Sequence, residues 1–136
     1  MKTNIVILAA VLLLGISSVN IRAEKRADEN ILTKDAVSNY LVGIKSDNEG
    51  LRISCAYFMG EYKVEEAIIP LMKMLNSEKN EDARIMAALS LAKIGTGKAV
   101  YAVKQASVLD RSERVRNLCA RFYSSLAMEK EKTPDL

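Results

Sequence analysis

ARIMAALSLA (residues 83–92) is the stretch on which the fold turns, because the same pattern stands at equal spacing on either side of it. LRISCAYFMG (51–60) lies 32 residues before it and VRNLCARFYS (115–124) lies 32 residues after it, with no gap in either alignment. Arg52, Arg84 and Arg116 fall in one row; Leu51, Ala83 and Val115 fall in another. Glu49, Glu81 and Glu113 form a third row, Ala56, Ala88 and Ala120 a fourth, and Cys55, Ala87 and Cys119 a row of small residues. A fixed period of this length is the mark of a repeat architecture.

A second unit repeats between these segments. EEAIIPLMKMLNS (65–77) matches GKAVYAVKQASVL (97–109), pairing Ala67 with Ala99, Ile68 with Val100 and Leu71 with Val103. DAVSNYLVGIKSDNEGLR (35–52) fits the same scheme with one residue deleted, so that Ala36 matches Ala67 and Tyr40 matches Leu71. With the arginine-bearing helix called A and the other B, the chain reads B, A–B, A–B, A. The six expected helices span 33–46, 49–61, 64–76, 81–94, 97–109 and 112–127. Ala67, Leu71 and Leu75 recur every four residues, and Ile68 and Met74 widen that stripe to a helical face. Asn80 and Ser112 stand as N-caps ahead of acids in the first turn. Gly60 and Gly95 fall near helix ends, where a left-handed residue is often needed. Pro70 sits early in its helix, where the missing N–H costs least, and is expected to tilt or delay the start.

One pair of helices this short cannot bury its apolar faces alone; stacked pairs share a continuous core. The composition agrees. There is no Trp and no His, Phe occurs only at 58 and 122, and core volume must come from Leu, Ile, Val, Met and Ala. Alanine-rich surfaces suit closely packed helices more than sheets. Residues 33–127 therefore form an all-α unit of about six helices, followed by a charged tail at 128–136 that reads as disordered.

These residues resemble the HEAT-repeat family, in particular its short bacterial, PBS-lyase-like form with repeats near thirty residues. The marks are Ala83-Arg84 followed by Ala87, Ala88 and Leu91, then Ile94-Gly95 and Ala99, echoed at Arg52, Ala56, Gly60 and Ala67 and at Arg116, Ala120 and Leu126. The resemblance implies a short right-handed α–α solenoid of antiparallel pairs, A helices convex and B helices concave. It also implies binding of macromolecules far more often than catalysis. Family members usually run longer, and a stack this short offers only a small concave surface.

The N-terminus carries a different signal. Lys2 precedes the apolar run Ile5–Ile16, followed by the more polar Ser17, Ser18 and Asn20 and by Ile21-Arg22-Ala23. That order is a secretory signal peptide over residues 1–23 with cleavage after Ala23, leaving 24–32 as a polar lead-in. The run falls short of the ~20 residues that cross a bilayer as a helix, and an uncleaved anchor is the alternative. The chain has 20 basic and 17 acidic side chains. Lys2 and Arg22 leave with the signal, so the exported part is near neutral. Nothing in that balance steers it to nucleic acid or an anionic membrane.

Three groups of residues stand out. Each ladder arginine follows a glutamate by three positions, which places the two on one helix face and predicts a structural ion pair at the start of each A helix; an anion-binding row is the sharper alternative. Cys55 and Cys119 occupy equivalent places two repeats apart. At ~8–10 Å per stacked helix they stand far beyond the ~7 Å that a disulfide spans, and they are expected as buried thiols. The outward rows of the B helices are Ser38, Ile69 and Tyr101, then Leu41, Met72 and Lys104, then Val42, Lys73 and Gln105. Leu41, Ile69, Met72, Tyr101 and Lys104 are the candidate interaction surface, expected on the concave side; scattered surface apolar residues are the bland alternative. Gly95-Thr96-Gly97-Lys98 lacks the first glycine of a phosphate loop, since position 92 is Ala, and reads as a turn. No cofactor, metal set or catalytic motif is legible. The expected function is a non-catalytic, monomeric protein-interaction or scaffold module of the cell envelope. The alternatives are an accessory binding an anionic small ligand or envelope polymer, and a lyase-like enzyme or enzyme subunit. Some short bacterial relatives are associated with attaching pigments to proteins, which export and the lack of a distinctive site disfavour here.

Overall fold

The computed structural model describes residues 32–132, which form six α-helices and no strand. The expected signal peptide, nearly all of the lead-in and the last four residues lie outside the described residues. α1 (Lys34–Gly43) begins where the Thr33 hydroxyl accepts the N–H of Ala36. α2 (Glu49–Glu61) begins at Asn48, whose side chain accepts the N–H of Leu51. A 3-10 turn over Glu65–Ala67 leads into α3 (Ile68–Ser77). α4 (Glu81–Ile94) is capped by Asn80, and α5 (Gly97–Leu109) by Thr96. α6 (Glu113–Lys132) starts behind Ser112, whose hydroxyl accepts the N–H of Val115. Each cap satisfies an N–H that the first turn of a helix leaves without a partner.

Two helix ends differ from expectation, and Pro70 delays its helix as expected. α1 ends at Gly43, short of 46, because the chain turns to present the carbonyls of Ser46 and Asp47 to the Arg52 guanidinium. α6 continues to Lys132, so residues 128–132 are helical and not tail. Pro70 is the third residue of α3, still among the N–H groups with no intrahelical acceptor, and the 3-10 turn ahead of it delays the α-helix. The two glycines also part company. Gly95 caps α4 in the left-handed region at φ +73°. Gly60 lies inside α2, where a Cβ would sit 2.6 Å from the Cα of Ser90. It is there for close approach, not for capping.

Between successive helices, α3 packs extensively on α4 and α5 on α6, with α4 on α5 and α1 on α2 next. α1–α2, α3–α4 and α5–α6 are thus three hairpins, each closed by the loop before an arginine. α4 is central and touches α2, α3, α5 and α6. Its Ala83, Ala87, Ala88 and Leu91 are wholly buried. Met59 from α2, Leu71 from α3, Val103 from α5 and Val115 and Cys119 from α6 complete the core. A buried Leu of this kind contributes about 1.5–3 kcal/mol. Small residues set the spacing between α2 and α4, where the Ser90 hydroxyl donates to the carbonyl of Ala56 at 2.7 Å. α2, α4 and α6 pack on one another in series, whereas α3 meets α5 only sparsely. The arginine-bearing row is thus the more closely packed of the two.

Candidate functional site

The arginine row forms a continuous chain of bonds, though with partners other than those expected. Arg52 donates from Nε and Nη2 to the two carboxylate oxygens of Glu78, at 2.6 and 2.9 Å. Arg84 grips Asp110 the same way, at 2.9 and 3.0 Å. In both cases Nη1 donates to the carbonyls six and five residues earlier: Ser46 and Asp47 for Arg52, Glu78 and Lys79 for Arg84. Each guanidinium points inward, across to the loop of the following hairpin, so it does not reach the glutamate three positions back on its own helix. Glu49 instead accepts from Asn80, and Glu81 faces Arg114. The signal was present in the sequence: Glu78 and Asp110 are also 32 residues apart, each 26 after its arginine.

Burial separates the rungs. The Arg84 side chain is 2% exposed and Arg52 17%. Burial alone would raise the Asp110 carboxyl, but the Arg84 hydrogen bond, the N–H of Ser112 and the nearby charges of Arg84 and Arg111 outweigh it and hold it below the ordinary carboxylate range. The hydrogen bond with Glu78 raises Arg52 further above its already high value. Both guanidinium edges of Arg52 and Arg84 are spent on carboxylates and carbonyls, which leaves neither open to an anionic ligand. Arg116 differs. Among the described residues it keeps only the bond from Nη1 to the carbonyl of Asp110, at 2.7 Å. Cys55 and Cys119 are both free and buried, and burial, with a smaller push from Asp110, raises the Cys119 thiol to about 11. So high a pKa makes a poor nucleophile or metal ligand at neutral pH.

The candidate surface residues lie on α1, α3 and α5. Ile69 on α3 and Tyr101 on α5 are 57% and 59% exposed, at equivalent places on neighbouring helices. The Tyr101 hydroxyl accepts from Gln105 at 2.6 Å. Met72 is half-buried. Lys104 lies over the Tyr123 ring, 5.5 Å from its centroid, and so is tied to α6. Leu41 is on α1, whose main partner is α2, which sets it apart from the Ile69–Tyr101 pair.

Two features escaped the sequence reading. Tyr40, Tyr57, Phe58 and Tyr62 form one aromatic cluster, with the Tyr40 and Phe58 rings stacked at 5.4 Å. Phe58 shares its row with Ser90 and Phe122, and an aromatic residue at two of the three places was the available signal. The second feature is a cleft of about 670 Å³ where the C-terminal end of α2 meets α4 and α6. Its walls include Leu89, Ile94, Val100, Phe122 and Leu126, and the Lys93–Glu61 ion pair stands at its edge. That cleft is built from residues of four helices and could accept an apolar segment flanked by charges.

A comparison with curated proteins found no match. The family profile described as HEAT repeats matches residues 30–123. The matched span takes in α1 to α5 and the first half of α6, with both filled rungs and the small-residue rows between α2 and α4, and on that basis the chain belongs to the HEAT-repeat family.

Proposed function

We propose that this chain is a non-catalytic protein-binding module, exported to the cell envelope by the signal at residues 1–23. HEAT repeats generally mediate protein–protein interaction or scaffolding, and this stack is built on the same plan. The observation that carries the reading is the pairing of Ile69 with Tyr101. Both are more than half exposed at matching positions of adjacent helices, so folding leaves a ridge of apolar surface uncovered. A tyrosine there offers a rigid apolar ring with a polar tip, a combination favoured at interfaces. No described helix is long and apolar enough to cross a membrane.

The test is in-cell crosslinking with tagged full-length chain, quantified by mass spectrometry, beside an Ile69→Glu, Tyr101→Glu double variant. Circular dichroism and fractionation check that both chains are helical and exported alike. Loss of a specific envelope protein from the variant is expected. An identical partner set for the two chains would refute the Ile69–Tyr101 ridge as the binding surface.

A further inference from the structure

We propose that Arg116 is an open carboxylate receptor at the third rung of the arginine ladder, and that an aspartate or glutamate side chain of a partner protein docks on its Nε/Nη2 edge. The two earlier rungs define the geometry. Arg52 and Arg84 each anchor Nη1 on the carbonyl six residues back and hold one carboxylate with Nε and Nη2. Arg116 has the same anchor in place, on the carbonyl of Asp110. Its Nε and Nη2 donate to nothing among the described residues, although the side chain is half-buried. The fork is thus held by the bond that positions the other two, with the carboxylate-binding edge unfilled. An arginine keeps its charge at any physiological pH, and a planar fork held in advance favours a bidentate carboxylate over other anions.

The register also says what the partner is not. The ladder acids Glu78 and Asp110 stand six residues before Arg84 and Arg116; six before Arg52 stands Ser46. The first hairpin therefore lacks the acid that a second copy, stacked in register on the third hairpin, would have to supply. A different protein with an acidic residue in a loop or helix start fits the receptor. Leu75 and Asn76 of the second hairpin line a cleft against Leu109 and Asp110 of the third. Their equivalents in the third hairpin are Ser107 and Val108, and Val108 is 70% exposed.

This inference deepens the protein-binding reading but rests on a different surface, so the two fail separately. The experiment follows the arginine Nε–Hε resonances of full-length protein by NMR while acetyl-pentaglutamate amide is added, with the pentaglutamine peptide as control. In the free protein, Arg52 and Arg84 are expected at carboxylate-bonded shifts and Arg116 apart from them. The glutamate peptide should move Arg116 saturably toward the other two. The glutamine peptide should not, and the response should be lost in Arg116→Lys. The proposal is overturned if Arg116 already coincides with Arg52 and Arg84 before addition, if it does not move, or if Arg111, Arg114 and Arg121 move as far. A partner that still crosslinks through Ile69 and Tyr101 after such a result keeps the protein-binding reading and removes only the receptor.

Discussion

At the scale of single residues, the consequential group is the Arg84 guanidinium. It is 2% exposed and serves three acceptors: the Asp110 carboxylate and the carbonyls of Glu78 and Lys79. Removing it strands a buried carboxylate as well as two carbonyls, and breaking a buried pair from one side costs far more than the pair's net contribution. Arg84→Met is expected to destabilise the chain by about 3–5 kcal/mol. Arg116→Met, which forfeits one bond to a carbonyl, should cost no more than about 1–2 kcal/mol. Urea unfolding of the two variants checks this, and equal losses would show that Arg84 has no special place in the stack. The arginine row itself was legible as a repeat. Its partners were not, because helical spacing brings Glu49 near Arg52 on paper, while the inward tilt of the guanidinium brings Glu78 near it in space.

At the scale of elements, the contact between α2 and α4 depends on an absent side chain. A Cβ at Gly60 would lie 2.6 Å from Ser90 Cα and 2.8 Å from its Cβ, and the first of these is backbone that cannot swing away. Gly60→Ala should therefore push the helices apart and weaken the Ser90–Ala56 hydrogen bond, at a cost of about 1–3 kcal/mol despite alanine's better helix propensity. Thermal unfolding measures it. An unchanged or raised midpoint would mean that the two helices have room to spare. Six helices and most of their starts followed from apolar periodicity and from Asn80 and Ser112. The purpose of Gly60 did not, since a glycine near a helix end reads equally as a cap or as a contact, and only the neighbouring helix decides between them.

At the scale of the whole molecule, the loop acids link folding to pH. The folded Asp110 carboxyl is held below its unfolded value of about 3.9. The unfolded chain thus binds the proton more readily, so stability rises with pH across this window. The contribution is fully present above the unfolded value and is lost as pH falls through the folded one. Glu61, lowered chiefly by its hydrogen bond with Lys93, acts in the same direction at the surface. Stability measured from neutral pH down to pH 3 should fall below about pH 5, and Asp110→Asn should be less stable at pH 7 with a shallower decline. A variant as steep as the wild type would place the acid sensitivity elsewhere. The 32-residue period, read from Arg84 and its echoes alone, was enough to determine an all-helical repeat stack and its family. Periodicity records which residues face inward, and that is a local property of each helix. Which helices pair, that Arg-bearing α2, α4 and α6 form the tighter row, and that the Nε/Nη2 edge of Arg116 meets no acceptor among the described residues are relations between distant segments. Only the packed tertiary structure decided them, because the loops before each arginine, and not the helices by themselves, set the pairing.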